Sequence, residues 1–405
     1  MSPSSPPNHR FHEQYPDMST GAMKAAPLLS DEVYDNEKDA VFGKHWLCIG
    51  REVQVPNRGD YFVKEIPVAK ASIIIVRDRS GKVNAFHNVC RHRSNKMMWE
   101  QSGTCRAMTC KFHGWSYKLD GSLADVPDEG RFFDFNKEEH GLIRVHLEIW
   151  RGFIFICLAE TPAESLTQYL GEFGSYLADY PFEKYSQCFA YSAKFKCNWK
   201  VVTDAFQEAY HVPYVHGKSL VDYHHEPELG LFDAVKLHPR HATFNMPSAK
   251  EHRASRTEAL GFQYSANIAA AISGAETDYG QDKKSWGFSG NRIFPNFFCD
   301  VLDGLYFTHE IIPVSRGETW YEHRMYFAKP ETAGQRFGQE VSKIMLRDAL
   351  LEDLSTLEHT QEAMEGGALK DIVLQDEEVV LRHFYETLDA TLVKDNFQPV
   401  YFPEK

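Results

Sequence analysis

Four residues in two short loops carry the strongest chemical signal in this 405-residue chain. Cys90-Arg91-His92 is followed, after seventeen residues, by Cys110-Lys111-Phe112-His113, so that two thiols and two imidazoles arrive in matched pairs. Two Cys and two His are a ligand set of structural zinc. The usual zinc-finger order groups Cys with Cys and His with His, whereas each loop here mixes the two. A [2Fe–2S] centre with two Cys on one iron and two His on the other requires this mixture from two loops. Neutral imidazoles in place of thiolates raise the potential of such a centre, which then accepts one electron at a time. Cys105, between the loops, fits neither ligand position and reads as a buried small residue.

A second constellation lies further along. Asn198-Trp199-Lys200 and Asp204 precede Glu208-Ala209-Tyr210-His211-Val212-Pro213, and His216 follows. On an ideal helix His211 and His216 would lie about 140° apart, but Pro213 disrupts the last turn and can bring the rings together. Taken alone, two histidines five apart at a helix end are more often ordinary polar residues than metal ligands. Near the C-terminal end, Glu352-Asp353 is accompanied by Asp348, Glu358 and Gln361. By itself this cluster is also what a solvated helix face looks like.

Composition bounds the context. With 44 Lys plus Arg against 57 Asp plus Glu, the formal charge of −13 argues against non-specific nucleic-acid binding. A composition of 43% hydrophobic and 25% charged residues excludes disorder as the dominant state. The length suggests two or three domains. No apolar run approaches the roughly 18–20 residues that cross a bilayer, and the Ser/Pro/His-rich start does not have the pattern of a secretory signal. Eight cysteines are too sparse for a disulfide scaffold and fit a reducing cytoplasm. There is neither a Gly-x-Gly-x-x-Gly opening a strand-turn-helix nor a second Cys-rich cluster of ferredoxin type.

The elements that must position these groups divide the chain as follows. Residues 1–26 read as a flexible leader, and 27–46 as an N-terminal helix centred on Ser30 to Trp46. Residues 47–160 read as a compact all-β domain, with runs at Asp60 to Ile66, Ala71 to Val76, Val83 to Val89, Trp115 to Leu119, Ile143 to Glu148 and Gly152 to Leu158. Residues 161–405 read as α+β, with a helix from Cys197 to Tyr210, strands at Leu305 to Pro313 and Thr319 to Ala328, and a long polar helix from Gly334 to Met364. Lys250 to Ser289 reads as a loop or lid. Phe206, Phe294, Phe297, Phe298, Tyr306 and Phe307 are candidates for an apolar pocket, though aromatic runs are more often core.

The stretches Asn88-Val89-Cys90-Arg91-His92-Arg93 and Cys110-Lys111-Phe112-His113-Gly114-Trp115-Ser116-Tyr117 closely resemble the two ligand loops of Rieske proteins. With them, Asn198 to His216 resembles the iron-binding segment of Rieske non-haem iron oxygenases, large (α) subunit. The resemblance implies an all-β Rieske [2Fe–2S] domain inserted into a larger α+β catalytic domain whose antiparallel sheet is covered by helices. It implies a cluster on Cys90, His92, Cys110 and His113. It also implies mononuclear Fe(II) on His211, His216 and a distant carboxylate, for which the resemblance of Glu352-Asp353 to the family's ligand segment points to Asp353, with Asp348, Glu352 and Glu358 as its competitors. Glu208 matches the carboxylate that connects the cluster of one subunit, through His113, to His211 of the next. The family usually has aspartate there, and glutamate also occurs in relatives that oxidise quaternary amines.

The activity implied is oxidation of an aromatic or polycyclic compound by O2, by hydroxylation or cis-dihydroxylation. Electrons would come from NAD(P)H through a separate reductase, with or without a ferredoxin. The alternative is a monooxygenase or demethylase acting on a quaternary amine or an N- or O-methyl compound. A reading of a different class is a Rieske-type electron carrier. A homotrimer, alone or with β subunits, is the expected assembly.

Overall fold

The computed structural model describes residues 10–178, 180–219, 232, 234–247, 255–261, 263, 264, 286–302 and 304–403. Most of the loop or lid read at Lys250 to Ser289 therefore lies outside the described residues. The chain divides into two compact units. One is Phe42–Tyr169, and the other combines Met1–Val41 with Leu170–Lys405, so the first is inserted within the sequence of the second.

The inserted unit is built of short antiparallel sheets. One pairs Leu47–Arg51, Phe153–Cys157 and His146–Trp150. A second orders Val83–His87, Ala71–Arg77, Asp60–Ile66 and Ser102–Thr104. A third joins Met108–Thr109, Ser116–Tyr117 and Leu123–Asp125. Ile73 to Val76 are wholly buried, as a continuous β-branched run in a covered strand should be. Five of the six strand segments read from the sequence fall within a residue or two of those observed. The sixth, Ile143 to Glu148, is displaced to His146–Trp150.

The larger unit is centred on a seven-stranded antiparallel sheet. Its strands are β1 (Gln187–Phe195), β2 (Ala234–Leu237), β3 (Ala242–Pro247), β4 (Trp286–Ile293), β5 (Phe297–Leu302), β6 (Leu305–Ser315) and β7 (Glu318–Phe327). Their order in the sheet is β1-β7-β6-β5-β4-β3-β2. Along β7, Thr319, Tyr321, His323 and Met325 are buried, while Glu318, Trp320, Glu322 and Arg324 are half-buried, the period-two pattern of a pleated strand. In β6 the nine residues from Leu305 to Pro313 show no such alternation, because both faces of this central strand are covered.

Five helices matter to the site: α1 (Asp31–Glu37), α2 (Trp199–Asp204), α3 (Val212–Val215), α4 (Ala333–Glu365) and α5 (Val379–Lys394). Thr332 and Gln335 start α4 with a capping box. Leu350, Leu354, Leu357, Gln361 and Met364 form its buried stripe at alternating spacings of four and three. Asp353 lies on the same buried side, so a carboxylate is carried inward on an otherwise polar helix.

Two readings of the sequence need correction. The helix expected from Cys197 to Tyr210 ends at Asp204. Beyond it Gln207 bonds back to Asp204, and Glu208 turns its carboxylate onto the N–H groups of Tyr210 and His211, a local alternative to helix continuation. The stretch 10–26, read as part of a free leader, is tied down: Phe11 is buried, its N–H and that of His12 donate to Asp376, and Met23–Lys24 pairs with Asp371–Ile372.

Helix α2 is buried from Trp199 to Thr203 and carries an ammonium into the interior. Lys200 Nζ lies 2.7 Å from Glu37 Oε2, and both side chains are essentially inaccessible. Trp199 Nε1 donates to the same oxygen at 3.1 Å, and the Tyr401 hydroxyl donates to Oε1. Burial pushes the pKa of Lys200 down and Glu37 pulls it back up. Removing the carboxylate strands a buried cation and two further donors. Glu37→Leu is therefore expected to destabilise the protein by about 3–5 kcal/mol, read from the shift in its denaturant or thermal unfolding midpoint; a loss near zero would contradict this account of the pair.

Candidate metal centres

In the inserted unit the two loops that carry Cys and His share one backbone design. Cys90 N–H donates to the Asn95 carbonyl and Ser94 N–H donates to the Cys90 carbonyl, at 2.8 and 3.1 Å. Cys110 N–H donates to Trp115 and Gly114 N–H to Cys110, at 2.8 and 3.0 Å. The fifth residue of each loop is left-handed, Ser94 at φ 58° and Gly114 at φ 75°. The chain thus curls around each cysteine in the same way.

The two loops meet. The His92 and His113 rings are 4.5 Å apart, and Trp115 stacks on His92 at 5.1 Å with only 8° between the planes. Cys90 and Cys110 are both buried. The Tyr117 hydroxyl lies 3.6 Å from Cys90 Sγ, and Asn95 Nδ2 donates to Cys110 Sγ at 3.7 Å. Burial pushes the Cys90 thiol up. Burial acts on Cys110 as well, but the N–H groups of Phe112 and His113 outweigh it and hold that thiol below its ordinary value. Among the described residues these four donors do not converge within 4.8 Å as a single ion would require. A two-metal cluster, which separates its sulfur end from its nitrogen end, suits them better.

In the larger unit one group does converge. His211, His216 and Asp353 offer ligand atoms that all lie within 4.8 Å of one another. His211 and His216 cap the two ends of the single turn α3. Pro213 sits at the start of that turn, rather than interrupting the end of a longer helix, and the imidazoles come to 5.3 Å between centroids. Asp353 Oδ1 is 3.2 Å from His211 Nε2 and 2.8 Å from His216 Nε2. Metal–ligand bonds of about 2.1 Å at right angles set ligand atoms about 3 Å apart. Yet Oδ1 has no hydrogen bond of acceptable geometry, as expected where the nitrogens aim at a common point beside it. The residues fit a mononuclear metal with three protein ligands.

The outer nitrogens are also fixed. His211 Nδ1 pairs with Glu208 Oε1, and the other Glu208 oxygen accepts from the N–H groups of Tyr210 and His211. His216 Nδ1 is 3.1 Å from Glu352 Oε2, which accepts from Ser219 Oγ at 2.5 Å. Each imidazole thus has a carboxylate behind it, which fixes the ring and its tautomer. Burial lowers the affinity of both rings for a proton, but Asp353, Glu208 and Glu352 more than reverse this, driving His211 up to about 10 and His216 also upward. The surroundings are built for positive charge. The role of Glu352 was missed because sequence neighbourhood to Asp353 made it look like a rival for the same task.

A cavity of about 260 Å³ opens beside His211 and Asp353. Asp204, Glu208 and Glu378 line it among aliphatic side chains from α2, α4 and α5. Burial pushes Asp204 up to about 7 against the hydrogen bonds it accepts from Tyr385 and Gln207. None of the six aromatic candidates lines this cavity. Phe294, Phe297, Phe298, Tyr306 and Phe307 are buried, and Phe206 stacks on His309 at 4.2 Å.

Comparison with known proteins agrees with the two-unit design. Residues 45–144 match the Rieske [2Fe-2S] domain, and 182–393 match the ring hydroxylating alpha subunit (catalytic domain). The glycine betaine monooxygenase oxygenase subunit of Pseudomonas aeruginosa is 31% identical over 186 residues, 46% of this chain and 42% of that protein. The biphenyl 2,3-dioxygenase subunit alpha of Rhodococcus jostii is 30% identical over 202 residues, 48% and 43% of the two chains. The chain thus spans less than half the length of these curated relatives.

Among solved structures, naphthalene 1,2-dioxygenase from Rhodococcus sp. superposes with a TM-score of 0.76 at 20% identity, covering 93% of this chain and 95% of that one. A quaternary ammonium Rieske monooxygenase gives 0.74 at 21%, covering 95% and 97%. The fold is shared with both. With a Rieske domain ahead of a catalytic-domain match that takes in more than half of its length, the chain belongs to the family of ring-hydroxylating oxygenase alpha subunits.

Proposed function

We propose that this chain is the terminal oxygenase component of a multi-protein system, oxidising a small organic substrate with O2 and with electrons that originate in NAD(P)H. The observation that carries the reading is the convergence of His211, His216 and Asp353 beside a cavity. In this reading Cys90, Cys110, His92 and His113 hold the [2Fe–2S] cluster, and His211, His216 and Asp353 hold the mononuclear iron. When bound, the cluster supplies single electrons and the iron supplies open coordination positions for dioxygen next to the substrate.

The remaining work falls to the chain. Glu208 and Glu352 keep the Nε2 atoms of the two imidazoles turned toward Asp353. In this reading Glu208 also connects His113 of a neighbouring copy to His211, in a homotrimer with or without β subunits. A reductase, with or without a ferredoxin, completes the system. The reduced nucleotide and eight free cysteines suit the cytoplasm, and among the described residues no helix is long and apolar enough to cross a membrane.

The substrate reading shifts from that drawn on sequence. Among the described residues, the cavity beside the triad is lined by Asp204, Glu208 and Glu378 and by no Lys, Arg, Phe, Tyr or Trp. Acidic and aliphatic walls suit an alkylammonium group better than a polycyclic hydrocarbon. Glycine betaine and carnitine monooxygenase subunits stand among the relatives, as do biphenyl and naphthalene dioxygenases. The N-methyl alternative is therefore preferred to ring dihydroxylation. With a competent reductase, trimethylammonium compounds are expected to turn over faster than naphthalene or biphenyl; the reverse order restores the aromatic reading.

Two substitutions test the assignments. His211→Ala is expected to abolish product formation while leaving the visible spectrum of the cluster intact, and full product formation by the variant rules the site out. Tyr117→Phe removes a hydrogen bond aimed at Cys90 Sγ. At about 1 kcal/mol of preference for the reduced cluster, its potential should fall by roughly 40 mV, measured by redox titration; an unchanged potential would place the tyrosine outside the cluster's shell.

A further inference from the structure

Two polar rings on one face of the large sheet have no hydrogen-bonding partner among the described residues. His323, on β7, is fully buried, and neither Nδ1 nor Nε2 is satisfied. The hydroxyl of Tyr191, on β1, is likewise buried and unpartnered. The two residues are direct cross-strand neighbours, with rings 5.0 Å apart. Each unsatisfied group of this kind costs about 1–3 kcal/mol, and native proteins keep few of them without a use.

Their surroundings connect them to the segments that carry His211 and Asp353. His309, opposite His323 on β6 and 4.9 Å away, has both nitrogens engaged: Nδ1 with the Tyr321 hydroxyl at 2.7 Å and Nε2 with Asp300 at 3.3 Å. Phe206, two residues before Glu208, lies on His309 at 4.2 Å. Leu346 of α4 packs against the cluster that includes Tyr191, Phe307 and Met325. Burial raises the pKa of Tyr191 and Tyr321, and the charge of Asp353 adds to it, second to burial at Tyr191 and after Tyr191 itself at Tyr321. The unpartnered pair therefore lies within electrostatic reach of the ligand that α4 supplies.

The chemistry of the pair defines what completes it. Burial and the neighbouring His309 hold His323 neutral, so its ring presents one donor and one acceptor. The Tyr191 hydroxyl can also play either part. A hydrocarbon satisfies neither. An anion would face Asp300 and Asp353, with Arg347 the cation that acts on Tyr191. A quaternary ammonium has no N–H to donate and no lone pair to accept with, so what suits the pair is an uncharged polar group, such as the hydroxyl or carbonyl oxygen of an organic molecule.

We propose that His323 and Tyr191 form a hydrogen-bonding subsite on the face of the large sheet, separate from the cavity lined by Asp204, Glu208 and Glu378, that takes a neutral hydroxyl or carbonyl oxygen of the organic substrate. The proposal rests on the reading of His211, His216 and Asp353 as the iron site and adds a second recognition element to it. It is independent of which part of the molecule is oxidised. It applies equally to an N-methyl compound and to an aromatic one, provided that the substrate bears such an oxygen.

The test is equilibrium binding by calorimetry to the anaerobic holoenzyme with its cluster oxidised, a state in which nothing turns over. The probes are two matched pairs: choline with ethyltrimethylammonium, and 2-naphthol with naphthalene. In at least one pair the oxygen-bearing member should bind roughly tenfold tighter or better. Tyr191→Phe should remove most of that preference and His323→Leu the rest, with the oxygen-free probe bound as before. His323→Gln, which keeps a donor and an acceptor, should retain part of it, whereas a purely structural role would not be rescued in this way. Equal binding within both pairs, no binding by either, or a preference that survives both substitutions overturns the proposal. Because no catalysis is measured, its failure is distinct from retention of product formation by His211→Ala, which would remove the iron-site reading instead.

Discussion

The larger unit is organised around one carboxylate that has to reach two imidazoles from far away in the sequence. Asp353 travels inward on the 33-residue helix α4, and His211 and His216 are presented by a single helical turn at the end of a short buried helix. Neither element could hold its place alone, because a six-residue helix is too short to be stable without tertiary support. The support comes from the inside: Lys200 on α2 is paired with Glu37 at the end of α1, and Glu37 also receives Trp199 and Tyr401. A polar anchor of this kind contributes little net stability, yet it penalises every arrangement in which α2 is displaced.

The same economy appears at both metal centres. The donors that would touch metal are each held by a second group: Glu208 behind His211, Glu352 behind His216, Tyr117 against Cys90 and Trp115 against His92. Rings and thiols fixed in this way need no reorganisation on binding metal. Around His211 and His216 the backing groups are carboxylates, and they concentrate negative charge around the imidazoles. In the cluster loops they are uncharged, and the thiols are tuned by N–H groups and by burial. The two environments are suited to different tasks, positive charge retained at one and an electron accepted and passed on at the other.

Much of this was legible from residue types and spacing. The mixed Cys and His loops, the short β runs between Leu47 and Ala159, and the long helix beginning at Gly334 all follow from local pattern. The choice of Asp353 among the acids of that helix rests instead on the resemblance of Glu352-Asp353 to the family's ligand segment. What remained hidden depends on contacts between distant residues. The early end of α2 is decided by side chains of Gln207 and Glu208 bonding to nearby backbone and carboxylate groups, which helix periodicity does not report. The partner of His216 could not be read from Glu352, whose neighbour Asp353 carries the same charge. The strands from Gln187 to Leu302 were largely missed, since an edge strand such as β1 lacks a buried face to give it a pattern.

The central claim is that one chain holds both a two-iron cluster and a separate ferrous iron. It is tested most directly by iron and acid-labile sulfide analysis of anaerobically purified protein, with electron paramagnetic resonance of the reduced sample. The account predicts about three irons and two sulfides per chain, together with a reducible Rieske signal. Zinc in place of iron and no sulfide would contradict it, as would two irons that never become three when ferrous iron is supplied.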